Sequence, residues 1–153
     1  MRDGKMFKLR NLFMQLEQIY EHQLMPCIRR DVKAALVSSD LENIILTGRN
    51  TPINGICRKE HCYRENNNVE SGTHHELCFA VHAEQEVLCT AASRDDMSTK
   101  GLVLICTTKP CSMCARLIDA AGIDTVYYTK DYPDEFTDKV IANVKTKFVK
   151  LDL

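Results

Sequence analysis

The 153-residue chain carries almost no excess of charge: 20 lysines and arginines stand against 21 aspartates and glutamates, a formal net charge of −1. Acids and bases are interspersed, so the footprint that grips a long phosphate backbone is missing, and small ligands are favoured over polynucleotides. Long apolar runs are missing too. The longest are about strand length, well below the roughly 20 residues a membrane span needs, and no basic-then-apolar leader opens the chain. No membrane partner is expected, and the expected compartment is the cytoplasm. Neither an internal repeat nor a low-complexity tract is visible. One domain, residues 1–153, large enough to bury its own core, is the simplest organisation.

Cysteine is plentiful, with eight residues. In a small secreted protein this would suggest disulfides; without an export signal, metal ligation is the stronger expectation. Two segments, Val81-His82-Ala83-Glu84-Gln85-Glu86 and Lys109-Pro110-Cys111-Ser112-Met113-Cys114, together read as a catalytic zinc site. His82, Cys111 and Cys114 make three protein ligands, and a four-coordinate Zn²⁺ with only three keeps its last position for water. Bound zinc lowers the pKa of that water from about 15.7 to about 7. Glu84, two residues after His82, is close enough to shuttle protons without being a ligand.

The spacing has a physical sense. If Pro110 opens a helix, Cys111 and Cys114 lie on one face of its first turn, where the helix dipole favours thiolates. His82 heads an apolar-periodic segment (Val87, Leu88, Ala91, Ala92), so two helix N-termini would converge on one cation. A redox pair, or half of a structural zinc knuckle beside a core histidine, is the competing reading. Joined to His-Ala-Glu and to the intervening helix and strand, the two cysteines favour the catalytic site. Cys89 and Cys106 read as buried structural thiols.

Along the chain, Leu9, Leu12, Phe13, Leu16, Ile19 and Tyr20 recur at three- and four-residue steps, predicting a helix over 6–23 that covers a sheet. Pro26 follows it, then a strand pair, 32–38 and 43–47, joined by Ser39-Asp40. From 49 to 73 the periodicity dissolves, and a loop this long needs its own reason to be ordered. Metal would supply it: Cys57, Cys62, His75 and Cys78 lie within or just after the loop, and Cys27 stands at the mouth of the first strand. His75 and Cys78 are three apart, a natural chelating pair. A closed four-ligand zinc contributes roughly 10 kcal/mol of folding free energy, so residues 49–79 are expected to form a zinc-stabilised insertion. The alternative is scattered thiols on a solvated loop. His61 and His74 read as solvent-exposed neighbours and His22 as helix surface. Beyond the His82 helix come a buried strand 102–107, the Cys111 helix ending at Gly122, a strand 124–129, a helix 133–144 and a strand 147–151. This alternation implies a mostly parallel α/β sheet with ligands at the carboxyl ends of its strands.

His-x-Glu followed by Pro-Cys-x-x-Cys is the pattern of the zinc nucleobase deaminases. From about Cys27 to the helix after Pro133 the chain resembles the deoxycytidylate (dCMP) deaminases of the cytidine deaminase superfamily, in particular the short bacterial, archaeal and phage type. The pieces that carry the resemblance are Cys27-Ile28-Arg29-Arg30, Cys57 and Cys62, Ser71-Gly72, His75-Glu76-Leu77-Cys78 and His82-Ala83-Glu84-Gln85. Pro110-Cys111-Ser112-Met113-Cys114-Ala115-Arg116, Ala121-Gly122-Ile123 and Asp131-Tyr132-Pro133-Asp134-Glu135 follow in order.

The resemblance implies a three-layer α/β/α fold around a central five-stranded mixed, mostly parallel sheet. It implies hydrolysis of dCMP to dUMP and ammonia, within pyrimidine deoxynucleotide metabolism. His82, Cys111 and Cys114 would hold the catalytic zinc. Glu84 would pass a proton from the zinc-bound water to N3 of cytosine and then to the departing amine, a role worth about 10²- to 10⁴-fold. A second, structural zinc is expected on Cys27, Cys57, His75 and Cys78, with Cys62 in reserve. Asn50, Ala83, Tyr132 and Glu86 are the expected substrate contacts, dCTP and dTTP the expected effectors, and a homo-oligomer, dimer or hexamer, the expected assembly.

Two positions depart from the family. Its Gly-Tyr-Asn-Gly segment stands here as Gly48-Arg49-Asn50-Thr51, and the asparagine two residues after the catalytic glutamate is Glu86. A carboxylate near a phosphate-bearing ligand repels it, unless Arg49 offsets the charge or Glu86 is simply a helix acid paired with a neighbour. Tyr132 would close the pocket mouth over the pyrimidine or pack on the final helix; Arg29 and Arg30 would bind phosphate or cap the sheet edge. A deaminase of another cytosine nucleoside or nucleotide, or of a modified base, is an alternative. So is a zinc-stabilised regulatory module with a vestigial site, which would have no use for Glu84.

Overall fold

The structure, a computed structural model, describes residues 2–53 and 55–153. Helix α1 (Asp3–Tyr20) is followed by β1 (Lys33–Val37), β2 (Ile44–Arg49), β3 (Thr51–Pro52), α2 (Tyr63–Asn66), β4 (Ala80–Val81) and α3 (Ala83–Ala92). Then come β5 (Val103–Thr108), α4 (Ser112–Ala120), β6 (Thr125–Lys130), α5 (Glu135–Ile141) and β7 (Lys147–Lys150). Five strands form one sheet in the order β2-β1-β5-β6-β7. β1 runs antiparallel to both β2 and β5, whereas β5, β6 and β7 pair in parallel. Only β1 therefore opposes the common direction, and the expected mixed, mostly parallel sheet holds with that strand as its exception.

Side-chain alternation along the strands divides the core in two. Ala34, Leu36, Leu104, Cys106, Val126 and Tyr128 face α3 and α4, packing with Val87, Ala91 and Ile118. The alternate residues Ala35, Val37, Val103, Ile105 and Tyr127 face α1, against Leu9, Leu12, Phe13 and Leu16. This period of two in the strands against three and four in the helices produces the three layers. α1 begins earlier than the apolar stripe predicts, because Asp3 places an acid in the positive first turn. α5 is shorter than the predicted 133–144, since Asp134 caps it by accepting the Phe136 N–H, 3.1 Å. No helix of the described residues is long and apolar enough to cross a membrane.

The loop region from 49 to 81 is not structureless. β3 and β4 pair Thr51 with Val81 and Pro52 with Ala80, which brings the chain back to the sheet edge just before His82. Arg64 of α2, buried, organises the turn between them by donating to the carbonyls of His74, Glu70 and Thr73 at 2.6, 2.9 and 2.8 Å. At Gly48 a Cβ would lie 2.5 Å from the Ala83 carbonyl oxygen and 2.8 Å from Val87 Cγ2. Only a glycine lets β2 slide this close beneath the start of α3, and overpacking there costs about 1–3 kcal/mol.

Candidate active site

Two helix starts meet at the carboxyl end of the parallel strands. His82 is the N-cap of α3 and Cys111 the N-cap of α4, both in extended backbone conformation. Gln85 Oε1 accepts the His82 N–H at 2.9 Å, fixing the first turn of α3. Asp134 Oδ2 accepts the Ser112 N–H at 2.8 Å and does the same for α4 from across the molecule. His82 Nδ1 then lies 3.5 Å from Cys111 Sγ and 3.3 Å from Cys114 Sγ. A tetrahedral zinc with bonds of about 2.0 Å to nitrogen and 2.3 Å to sulfur sets such atoms about 3.5 Å apart. The donor set therefore fits zinc in both chemistry and spacing. Among the described residues it is the one group of three or more potential ligands whose donor atoms all lie within 4.8 Å of one another.

Glu84, in the first turn of α3, is buried, with 4% of its surface exposed. Burial pushes its carboxyl up to about 7, against the pull of the neighbouring His82. The two thiols part in the opposite sense. The Cys114 hydrogen bond, with His82 beside it, draws Cys111 down to about 4, while sharing that bond and burial raise Cys114 far above an ordinary thiol. Burial opposes charge on His82, but the Cys111 thiolate outweighs it and raises the imidazole. Without metal the Cys111 thiol and the His82 imidazole thus favour each other's charged forms. An ion takes over that compensation when it binds.

A cavity of about 100 Å³ opens onto these residues. Ala83, Asn50 and Tyr132 lie on its wall as the sequence suggests, together with Arg29, Arg30, Arg64 and Lys109. Arg29 pairs with Glu65 at 3.0 Å and Lys109 with Asp138 at 2.6 Å. Arg30 and Arg64 meet no carboxylate among the described residues; they bond instead to Ser71 Oγ and to main-chain carbonyls. Asn50 is tied to the strand mouth, accepting the Val32 N–H and donating to the Arg30 carbonyl, each at 2.9 Å.

Glu86 stands off the cavity wall. Its carboxylate accepts the Arg49 main-chain N–H at 2.8 Å and joins α3 to β2. The Arg49 guanidinium points elsewhere, to Asp31 at 2.8 Å and over the Tyr20 ring at 5.4 Å. Of the two readings of Glu86, the helix acid paired with a neighbour describes its position.

The cysteine-rich loop gathers several thiols. Burial first, then Cys62, Cys27 and Cys78 in turn, push the Cys57 thiol up to about 11, so these four cysteines share one neighbourhood. Cys62, the reserve, stands among them. His75 faces Tyr132 and the catalytic cavity. Sequence reasoning missed Arg64 and Asp134 as organisers. Asp134 had a signal, an acid at a predicted helix start; Arg64 had none, because its partners are carbonyls of a loop without periodicity.

A three-donor metal site with a buried carboxylate, set at the helix starts of an α/β/α sandwich, defines a zinc-dependent deaminase domain. The chain matches the family model for the cytidine and deoxycytidylate deaminase zinc-binding region over residues 8–130, and it belongs to that family. It is 32% identical over 108 residues to a deoxycytidylate deaminase of Schizosaccharomyces pombe, covering 69% of this chain and 32% of that protein. It is 43% identical over 54 residues to the deoxycytidylate deaminase of Mycobacterium phage D29, 35% of this chain and 40% of that one. The chain therefore spans well under half the length of these curated relatives. Among solved structures, the dCMP deaminase of cyanophage S-TIM5 in complex with dCMP and dUMP has the same fold, with a TM-score of 0.69. Its identity to the chain is 23%, over 99% of both.

The raised Glu84 carboxyl yields a pH test on zinc-free protein. A carboxyl whose folded pKa lies above its unfolded 4.5 stabilises the fold below pH 4.5, and that contribution is lost as pH rises through about 7. Glu84→Gln removes the effect. The variant should gain on the wild type by about 3 kcal/mol between pH 4.5 and 8, at about 1.36 kcal/mol per pH unit. The Cys111 thiolate acts oppositely over this range but is common to both proteins. Urea unfolding of the two zinc-stripped proteins at pH 5 and pH 8 measures the gap; an equal difference at both pH values refutes the burial of a titrating Glu84.

Proposed function

We propose that the chain deaminates a cytosine nucleotide by hydrolysis, converting dCMP and water into dUMP and ammonia. The observation that carries this reading is the buried Glu84 beside a donor set of three, His82, Cys111 and Cys114. Zinc, when bound, supplies a Lewis acid that brings water towards ionisation at neutral pH. Glu84 does the proton work. Its carboxylate accepts the proton that water gives up, delivers it to N3 of the ring, and carries the next to the amino group leaving C4. A buried carboxyl beside the donor set is placed both to take and to return a proton. The phosphate of the substrate is matched by the cationic wall, above all by Arg30 and Arg64, which have no carboxylate to neutralise them. The names of the two curated relatives and the bound nucleotides of the cyanophage structure support the same substrate.

We also assign a second, structural zinc to Cys27, Cys57, Cys62 and Cys78. Two features support it beyond their shared neighbourhood. Cys27 Sγ accepts the Arg29 N–H and Cys78 Sγ the Ala80 N–H, each at 3.4 Å, and main-chain donors of this kind favour thiolate sulfur. In a cytoplasmic enzyme these thiols stay reduced and available to metal. Feedback by dCTP and dTTP belongs to the same proposal, as does assembly into a homo-oligomer. Phe7, Met14 and Ile19 of α1 and Leu117 of α4 are exposed apolar side chains that a subunit contact would cover.

Loss of the amino-pyrimidine absorbance on adding dCMP tests the activity. Glu84→Gln should keep its zinc and lose at least a hundredfold in kcat; near-native turnover in that variant would remove Glu84 from the reaction, and a zinc-loaded wild type inert on dCMP, CMP and deoxycytidine would favour a vestigial module. Added dCTP and dTTP should shift the dCMP saturation curve, and superimposable curves would exclude feedback. Elemental analysis should find about two zinc ions per chain, falling to one in Cys62→Ser; an unchanged count there would return the fourth seat to His75. Sedimentation of the purified protein should give a dimer or hexamer, and a monomer at micromolar concentration would rule out the assembly.

A further inference from the structure

His75 lies on the cysteine-rich loop three residues before Cys78, and one nitrogen of its ring turns to Tyr132 and Asp134. Its Nε2 is 3.2 Å from the Tyr132 hydroxyl and 4.0 Å from Asp134 Oδ2, and only 14% of the side chain is exposed. The ring centroid stands 5.8 Å from that of Tyr132 and 6.1 Å from that of His82. The same Asp134 Oδ2 accepts the Ser112 N–H between the two zinc cysteines. One imidazole therefore touches the aromatic wall of the cavity and the acid that fixes the start of α4.

Its surroundings hold Tyr132 from several sides. The Arg30 guanidinium sits over the ring, 4.5 Å from the centroid, and donates to Ser71 Oγ. Gly72, with φ of +82°, lets the loop press against the Pro133 carbonyl, where a Cβ would collide. Residues 71–75 are thus clamped onto residues 132–134. These contacts engage Nε2 of the imidazole, the nitrogen that meets Tyr132 and Asp134.

We infer that His75 is a positioning residue of the catalytic pocket: by holding the Tyr132 hydroxyl it sets the aromatic wall against the nucleotide, and it governs substrate affinity rather than the second metal. The inference rests on the deaminase reading above. Tyr132 offers a polarisable face and a fixed hydroxyl only while its ring is held in one orientation, so releasing it weakens binding more than it slows the proton transfers at Glu84.

His75→Phe keeps the bulk and removes the hydrogen bond. With dCMP it should raise KM about five- to tenfold, the effect of one lost partly buried hydrogen bond, with a smaller change in kcat. Tyr132→Phe should do the same, and the double variant should be no worse than the poorer single one, because both remove one interaction. His75→Gln, whose amide nitrogen can occupy the place of Nε2, should recover most of the affinity. All variants should keep the zinc count of the parent by elemental analysis. A count lower by one in His75→Phe or His75→Gln would overturn the inference, as would an unchanged KM or effects that multiply in the double variant. If His75→Phe does not fold, His75→Gln and Tyr132→Phe carry the same comparison. A wild type inactive on every cytosine nucleotide would instead defeat the deaminase reading itself, so the two failures are told apart.

Discussion

The molecule is arranged around a single requirement: the N-termini of α3 and α4 must approach until one imidazole nitrogen lies 3.3–3.5 Å from two sulfurs. Helix ends do not converge cheaply, since each presents unpaired main-chain N–H groups and the positive end of its dipole. The ligand chemistry turns this into an advantage, because a thiolate and a carboxylate are the groups such ends favour. The approach is then fixed from behind. β2 slides under α3 because Gly48 has no side chain, and Glu86 stitches the helix to Arg49 of that strand. Asp134 reaches back from the start of α5 to the first N–H of α4. Neither pin is next to the metal ligands in sequence, yet both determine where those ligands stand.

The same convergence explains the electrostatics. Cys106, buried in the core on the central strand, is raised by burial and by the charge of Glu84, both of which favour its neutral thiol. Cys114 is driven towards its neutral form as well, while Cys111 and His82 favour each other's charged forms. Groups of one kind are driven apart by environment, one thiol down and the other up, which is how a site acquires distinct acid and base roles from similar side chains.

Much of this was legible in the sequence, for local reasons. The three- and four-residue apolar steps of α1, the buried run of β5, and proline before Cys111 are short-range signals, and the site at His82, Cys111 and Cys114 follows from placing two helix starts on one sheet edge. The cysteine loop was harder. Spacing names which side chains can chelate together, and His75 with Cys78 is a good pair by that measure alone. Which of them turn towards the thiols depends on the path of the loop. That path is set by the positive φ of Gly72 and by the carbonyls gathered on Arg64, contacts that leave no periodicity to read. Hence spacing alone leaves five candidates for four seats, and the β3–β4 ribbon that closes the loop, two residues on each side, is too short to predict.

The two departures at Arg49 and Glu86 gain their meaning from the same geometry. A carboxylate in place of an amide would repel an anionic substrate if it faced the cavity. Here it faces a main-chain N–H of the neighbouring strand, a donor that suits a carboxylate better than an amide. The arginine that accompanies it is drawn off by Asp31 and Tyr20 on the side of the sheet covered by α1. Both charges are therefore absorbed in joining β2 to its neighbours, and neither alters the sign of the wall. That wall retains Arg30 and Arg64, which meet no carboxylate among the described residues, so its positive character survives substitutions that, judged by sequence position alone, oppose it.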